Sequence, residues 1–227
     1  MKLPLPERVN TASFRFACKK MNGLNFLPAY GTLLGLTRQG RLIDGDDDAD
    51  FFVFRDDYQR IRDRFIESDF KICFESEGNF MQLRRFDGGH TAIIDFFFIE
   101  KRSEIYVDKW NFIGEVDNPA KHLFIPAEYI EDICLKTFCG VDLQFPRNAD
   151  QFCELLYGAD WKIPRLKGYE YETQIVGNKP LHVPTPSEKL GSYKTECQVF
   201  VEQIQQRKIE ISQELEVLNF YEEKFSF

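Results

Sequence analysis

One aspartate constrains this chain more than any other residue. Asp95 stands inside Ile93-Ile-Asp-Phe-Phe-Phe-Ile99, with two apolar residues before it and four after. The surrounding apolar stretch, Ala92 to Ile99, suits a buried strand and falls far short of the ~20 residues a membrane span needs. An ionised carboxylate in such a strand costs several kcal/mol, on the order of a lost ion-pair partner, unless it is paired or holds a cation. Two readings follow from the residues: a buried salt bridge with Arg84 or Arg85 on a neighbouring strand, or a metal site.

A second acidic element favours the metal. Asp46-Asp-Asp-Ala-Asp50 runs directly into Phe51-Phe-Val-Phe54. Taken alone, Asp46 to Asp48 reads as a solvated acidic loop. Strand alternation over Asp48 to Phe54 places Asp48 and Asp50 on one side, about 7 Å apart along the chain. Without a cation, two such carboxylates repel, and one of them must be protonated. Asp50, like Asp95, interrupts an apolar run, and buried acids gather at functional sites. Asp48, Asp50 and Asp95 are therefore the expected metal ligands, and hard oxygen donors favour Mg²⁺ or Mn²⁺ over zinc.

The complementary part precedes them. Phe26-Leu-Pro-Ala-Tyr30 reads as a strand, and Gly31-Thr32 as the turn into a short helix, Leu33 to Arg38. Amides at a helix start bind phosphate, and glycine lets the backbone come close. Gly31 and Thr32 are expected to cradle phosphate.

Around these motifs, Arg55 to Ser68 has the spacing of an amphipathic helix, with Tyr58, Ile61, Phe65 and Ile66 on its apolar side. Strands are expected at Phe70–Phe74, Phe80–Phe86 and Thr91–Ile99, the last two joined as an antiparallel hairpin through Asp87-Gly-Gly89. The segment up to about Met21 fits a short helix only loosely. From Lys121 to Pro164 the pattern is irregular apart from a helix around Ala149 to Tyr157. Gly177 to Pro186 reads as a loop. From Cys197 to Leu218 apolar residues recur at alternating spacings of four and three, a heptad-like stripe broken by Lys208. The expected architecture is α+β: a mixed sheet with flanking helices and a C-terminal helix. We divide the chain into a catalytic domain, residues 1–190, and a helical tail, 191–227. The tail either packs back on the domain, leaving a monomer, or forms a homodimer.

Composition excludes several classes. With 29 basic against 37 acidic residues, the net charge of −8 repels nucleic-acid backbones. No apolar run is long enough to span a membrane, and Met1-Lys-Leu-Pro-Leu-Pro-Glu-Arg8 has no signal-peptide core, so a soluble, cytoplasmic protein is expected. The six cysteines form no Cys-x-x-Cys pair. Cys134 and Cys139 are spaced so that they could join a metal site, but reduced thiols packed as small hydrophobes are the expected state.

The order hydrophobic-Gly-Thr, Asp-x-Asp on a strand, then a third Asp on a later strand resembles the polymerase-β-like nucleotidyltransferase fold. The match is closer still to the LicD and fukutin-related family. It is carried by Tyr30-Gly-Thr-Leu-Leu-Gly35, Arg38, Leu42-Ile43 and Asp46-Asp-Asp-Ala-Asp50. Phe124-Ile-Pro126, Phe138-Cys-Gly140, Phe145-Pro146 and Leu156-Tyr-Gly-Ala-Asp-Trp161 extend it. Where family members carry Pro-Trp before the acidic run, this chain has Asp44-Gly45.

The resemblance implies metal-dependent transfer of a substituted phosphate, such as phosphocholine or ribitol phosphate. The donor would be CDP-activated, the acceptor a hydroxyl of a surface glycan or glycolipid, and the by-product CMP. Asp48 and Asp50 would bind the metal against the donor's phosphates; Asp95 would complete the site and could take the acceptor's proton. Arg38 would contact the diphosphate, and Tyr157 and Trp161 would border the donor or acceptor pocket. Two alternatives share the motifs: a nucleotidyltransferase attaching NMP with release of pyrophosphate, and a silent relative that only binds nucleotide or glycan.

Overall fold

A computed structural model describes residues 5–87, 90–110 and 122–164. The Gly177 to Pro186 loop, the heptad-like stripe and the boundary at residue 190 lie outside the described residues.

The elements follow as α1 (Leu5–Lys20), β1 (Phe26–Pro28), α2 (Tyr30–Gln39), β2 (Asp50–Phe54), α3 (Tyr58–Ile66), β3 (Lys71–Ser76), β4 (Phe80–Asp87) and β5 (His90–Arg102). After them come β6 (Ile105–Asp108), β7 (Leu123–Pro126), α4 (Glu128–Glu131), β8 (Ile133–Phe138), β9 (Val141–Pro146) and α5 (Ala149–Tyr157). This is a mixed α+β architecture. β1, β2, β5, β4 and β3 lie side by side in that order, and β6 and β7 extend the sheet from the far end of β5. β2 and β5 pair in parallel, while every other pair is antiparallel, including the expected β4–β5 hairpin. β8 and β9 form a separate ribbon.

Both faces of the β2–β5 pair are covered, which is why these strands read as near-continuous runs of phenylalanine. On one face Phe14 of α1 stacks on Phe51, and Phe65 of α3 meets Phe96. On the other, Tyr30 packs on Phe52 and Phe97, and Phe152 of α5 stacks on Phe52. Each such aromatic pair adds about 0.5–1.5 kcal/mol beyond its buried area.

The structure departs from the sequence reading in four places. The loosely patterned N-terminal segment is a 16-residue helix whose Phe14 and Ala17 are fully buried, as is Met21 just after it. Its apolar stripe is masked by two polar residues on the same buried face, Asn10 and Ser13. The strand expected to reach Tyr30 ends at Pro28, because Tyr30 already belongs to α2. Asp48 precedes the strand rather than opening it, since β2 begins at Asp50. The stretch read as irregular contains β7, α4, β8 and β9, and β6 had also gone unread. Among the described residues no helix is long and apolar enough to cross a membrane.

Candidate active site

The site forms where the parallel pair begins. Asp50 and Asp95 are register partners on β2 and β5, so their side chains leave the same face of the sheet side by side. The parallel ladder extends one residue upstream, with Ala49 N–H donating to the Ile93 carbonyl (3.1 Å) and Asp95 N–H to the Ala49 carbonyl (3.0 Å). That pairing draws the preceding acidic segment against β5. Asp48, Asp50 and Asp95 each offer a carboxylate oxygen within 4.8 Å of the others. Asp48 joins from the segment before β2, not by strand alternation.

Asp46, read from sequence as part of a solvated loop, is also at the site. It is 7% exposed, and Asn10 of α1 donates to its carbonyl at 3.2 Å. Asp46, Asp47 and Asp48 form a second acidic group, overlapping the first at Asp48. The alternation Asp46, Asp48, Asp50 was the available signal; the intervening Asp47 hid it.

Gly31 closes the site from above. A Cβ built there would lie 2.9 Å from Asp46 Oδ2 and 3.3 Å from Asp50 Oδ2, so only glycine fits without moving a carboxylate. The positive end of α2 thus faces the acids and offsets part of their repulsion. Thr32 is 1% exposed, and its hydroxyl accepts the Asp50 backbone N–H at 2.8 Å, tying the helix start to the strand start. Tyr30 takes a φ of 36°, rare for a residue with a side chain, and its buried hydroxyl donates to the fully buried Asp108.

Asp95 carries the electrostatics. Burial pushes its carboxyl well above the ordinary range, and the charge of Asp48 pushes it further. The Gln82 amide, at 3.4 Å, and the nearby Arg84 guanidinium pull the other way. The salt-bridge reading resolves as follows. Arg85 turns to the opposite face, its guanidinium 4.8 Å from the centre of the Phe70 ring. Arg84 reaches Asp95 through an intermediate, donating from Nε to Gln82 Oε1 at 2.8 Å. Asp95 Oδ1 is left buried without a hydrogen-bond donor. An orphaned buried carboxylate oxygen, beside two more carboxylates and under a glycine cradle, fits a hard divalent cation.

Three further expected residues lie on or after helices α2 and α5. Arg38 is in the last turn of α2, about 10 Å along the helix axis from Gly31, with its charge felt by Cys153 of α5. Tyr157 and Trp161 are 6% and 7% exposed, packed in the core.

A mixed sheet thus presents clustered carboxylates beneath a glycine at a helix start. The family model described as LicD/FKTN/FKRP, nucleotidyltransferase domain, matches residues 23–148, and the chain belongs to that family. No curated protein matches the chain.

Proposed function

We propose that this protein transfers a substituted phosphate, of the phosphocholine or ribitol-phosphate kind, from a CDP-activated donor to a glycan hydroxyl and releases CMP. The observation that carries this reading is the meeting of Asp48, Asp50 and Asp95 within 4.8 Å in a chain of this family. These three residues would hold Mg²⁺ or Mn²⁺, which supplies charge neutralisation for phosphates that carboxylates alone would repel.

The chain's own groups then divide the work. Gly31 lets the Asp46 and Asp50 carboxylates come close to the start of α2, whose amides face negative charge. Thr32 keeps the β2 origin in register with that helix. Asp95, at the site beside Asp48 and Asp50, would take the proton from the acceptor hydroxyl as the new P–O bond forms and the bond to CMP breaks. The buried phenylalanines beneath the carboxylates keep water from one side of the reacting groups.

The products decide the matter. Incubation with Mg²⁺, a CDP-alcohol and an acceptor glycan should yield CMP and a glycan heavier by the head-group phosphate. The nucleotidyltransferase domain in the family's description keeps a second reading in play, attack at the α-phosphate of CTP or ATP. Pyrophosphate release with NMP on the acceptor, read by mass spectrometry, would establish that reading and remove the first.

A further inference from the structure

β4 carries a line of side chains that the reading above does not use. Strand alternation sends Gln82, Arg84 and Phe86 to the face that bears Asp50 and Asp95, while Leu83 and Arg85 point to the other. The pairing of β4 with β5 is continuous from Phe80↔Phe97 to Asp87↔His90, so no bulge changes this assignment. Gln82 is the cross-strand partner of Asp95 and donates to it. One step outward, Arg84 is held beside the acids by its Nε bond to Gln82. Lys71 of β3 is the register partner of Arg84, adding a second cation at the same level.

At the outer end is Phe86, 76% exposed. Among the described residues it is the most exposed large hydrophobic side chain and the one aromatic among the four that are exposed. Nothing in the fold requires a phenylalanine there: it fills no core, and the turn beyond it asks for small or polar residues. From Gln82 to Phe86 the strand advances about 13 Å. Reading outward from the carboxylates, the order is amide, guanidinium, exposed aromatic ring. A nucleoside diphosphate has a matching order: a metal-bound phosphate, a second phosphate, a ribose as spacer, then a flat base. A planar guanidinium suits phosphate oxygens, and an exposed ring suits a base of any identity.

From this juxtaposition we infer that β4 is the donor's nucleotide arm, with Arg84 contacting the diphosphate and Phe86 stacking on the base. This rests on the donor class proposed above and names the residues that would recognise it. It also moves the cationic contact from Arg38, at the far end of α2, to Arg84.

The test uses the full chain, calorimetry and three probes: Mg²⁺ alone, Mg²⁺ with CDP, and Mg²⁺ with inorganic pyrophosphate. F86A should weaken CDP binding about tenfold, a loss typical of a missing base–aromatic contact, and leave pyrophosphate and Mg²⁺ binding unchanged. F86W should restore CDP affinity. R84Q should weaken both CDP and pyrophosphate. Because Phe86 is exposed, F86A should melt with the wild type, so a changed affinity is not a changed fold. If the wild type binds CDP and F86A binds it equally well, the nucleotide arm is wrong while the donor class stands. If the wild type binds Mg²⁺ but no CDP, the donor class falls and takes the arm with it.

Discussion

Asp50 and Asp95 face each other across the parallel β2–β5 pair, each followed by a phenylalanine on its own strand that is buried on the opposite face. Their proximity is therefore fixed by backbone pairing, not by flexible side chains. Any change in their chemistry should leave the frame intact, and the predictions exploit that separation.

Asp95→Asn should abolish metal binding while raising the stability of metal-free protein by about 1–2 kcal/mol, since it removes a poorly solvated charge. The sign follows from the raised carboxyl pKa. The folded chain holds this proton more tightly than the unfolded one. The group therefore favours folding at low pH, and that contribution is lost as pH rises from the ordinary carboxyl value of 3.8 toward the raised one. Thermal melts across pH in EDTA should show the wild type losing stability over that window relative to Asp95→Asn. Added Mn²⁺ should stabilise only the wild type. Unfolding of the variant at neutral pH would reinstate a structural pairing as the role of Asp95.

Gly31→Ala should fold, yet bind Mn²⁺ about 10- to 100-fold more weakly, the range seen when residues supporting metal ligands are altered. The added methyl displaces Asp46 or Asp50, whose Oδ2 atoms lie 2.9 Å and 3.3 Å from the built Cβ. Calorimetry on folded variant checks it; unchanged affinity would mean that the carboxylates yield without consequence.

Gly35→Ala should behave in the opposite way. A Cβ at this position would lie 2.8 Å from the Arg41 carbonyl oxygen and 2.9 Å from the Ile43 amide nitrogen, both backbone atoms. Overpacking against backbone atoms lies at the upper part of the usual range, about 2–3 kcal/mol, and outweighs the ~1 kcal/mol gain in helix propensity. The expected net loss of about 1–2 kcal/mol corresponds to a drop of several degrees in Tm. A variant as stable as the wild type would show that the 41–43 segment moves freely.

Cys18 and Cys153 should resist alkylation at pH 8. Burial pushes both thiols up to about 12, so almost no thiolate is present. Among the cysteines of the described residues, Cys73 and Cys134, partly exposed, should label before these two. Peptide mapping after timed iodoacetamide treatment reads this directly, and rapid labelling of Cys153 would mean that α5 opens from the core.

Legibility followed burial. β2 and β5 could be read because a two-sided core demands near-continuous apolar runs, and an acid inside such a run stands out; β4 could be read from its hairpin link to β5. β8 could not: Leu135 is 71% exposed, and Lys136 covers the Phe145 ring, so that strand shows neither alternation nor a continuous run. β9 does alternate, with Val141, Leu143 and Phe145 buried, and was missed. α1 was obscured by Asn10, whose place on the buried face reflects its bond to the acidic segment. Asp46 was missed for the same kind of reason. Three consecutive aspartates look solvated until the fold shows that Gly31 lies against one of them. The carboxylates at the site were legible as residue types; that Asp48 joins from outside the strand was a matter of three-dimensional closure.

The parallel pairing of β2 with β5 also sets a schedule for the chain. Asp50 and Asp95 are separated by α3 and two strands, and a parallel pair cannot close through a tight turn. During synthesis, the acidic segment therefore leaves the ribosome well before the strand that completes it. A cation can contribute little to the early steps and acts mainly once β5 has docked. In stopped-flow refolding, Mn²⁺ should leave the folding limb of the chevron nearly unchanged and slow the unfolding limb. The acids would then act as a latch on a finished sheet, lengthening the lifetime of the native state without hastening its birth.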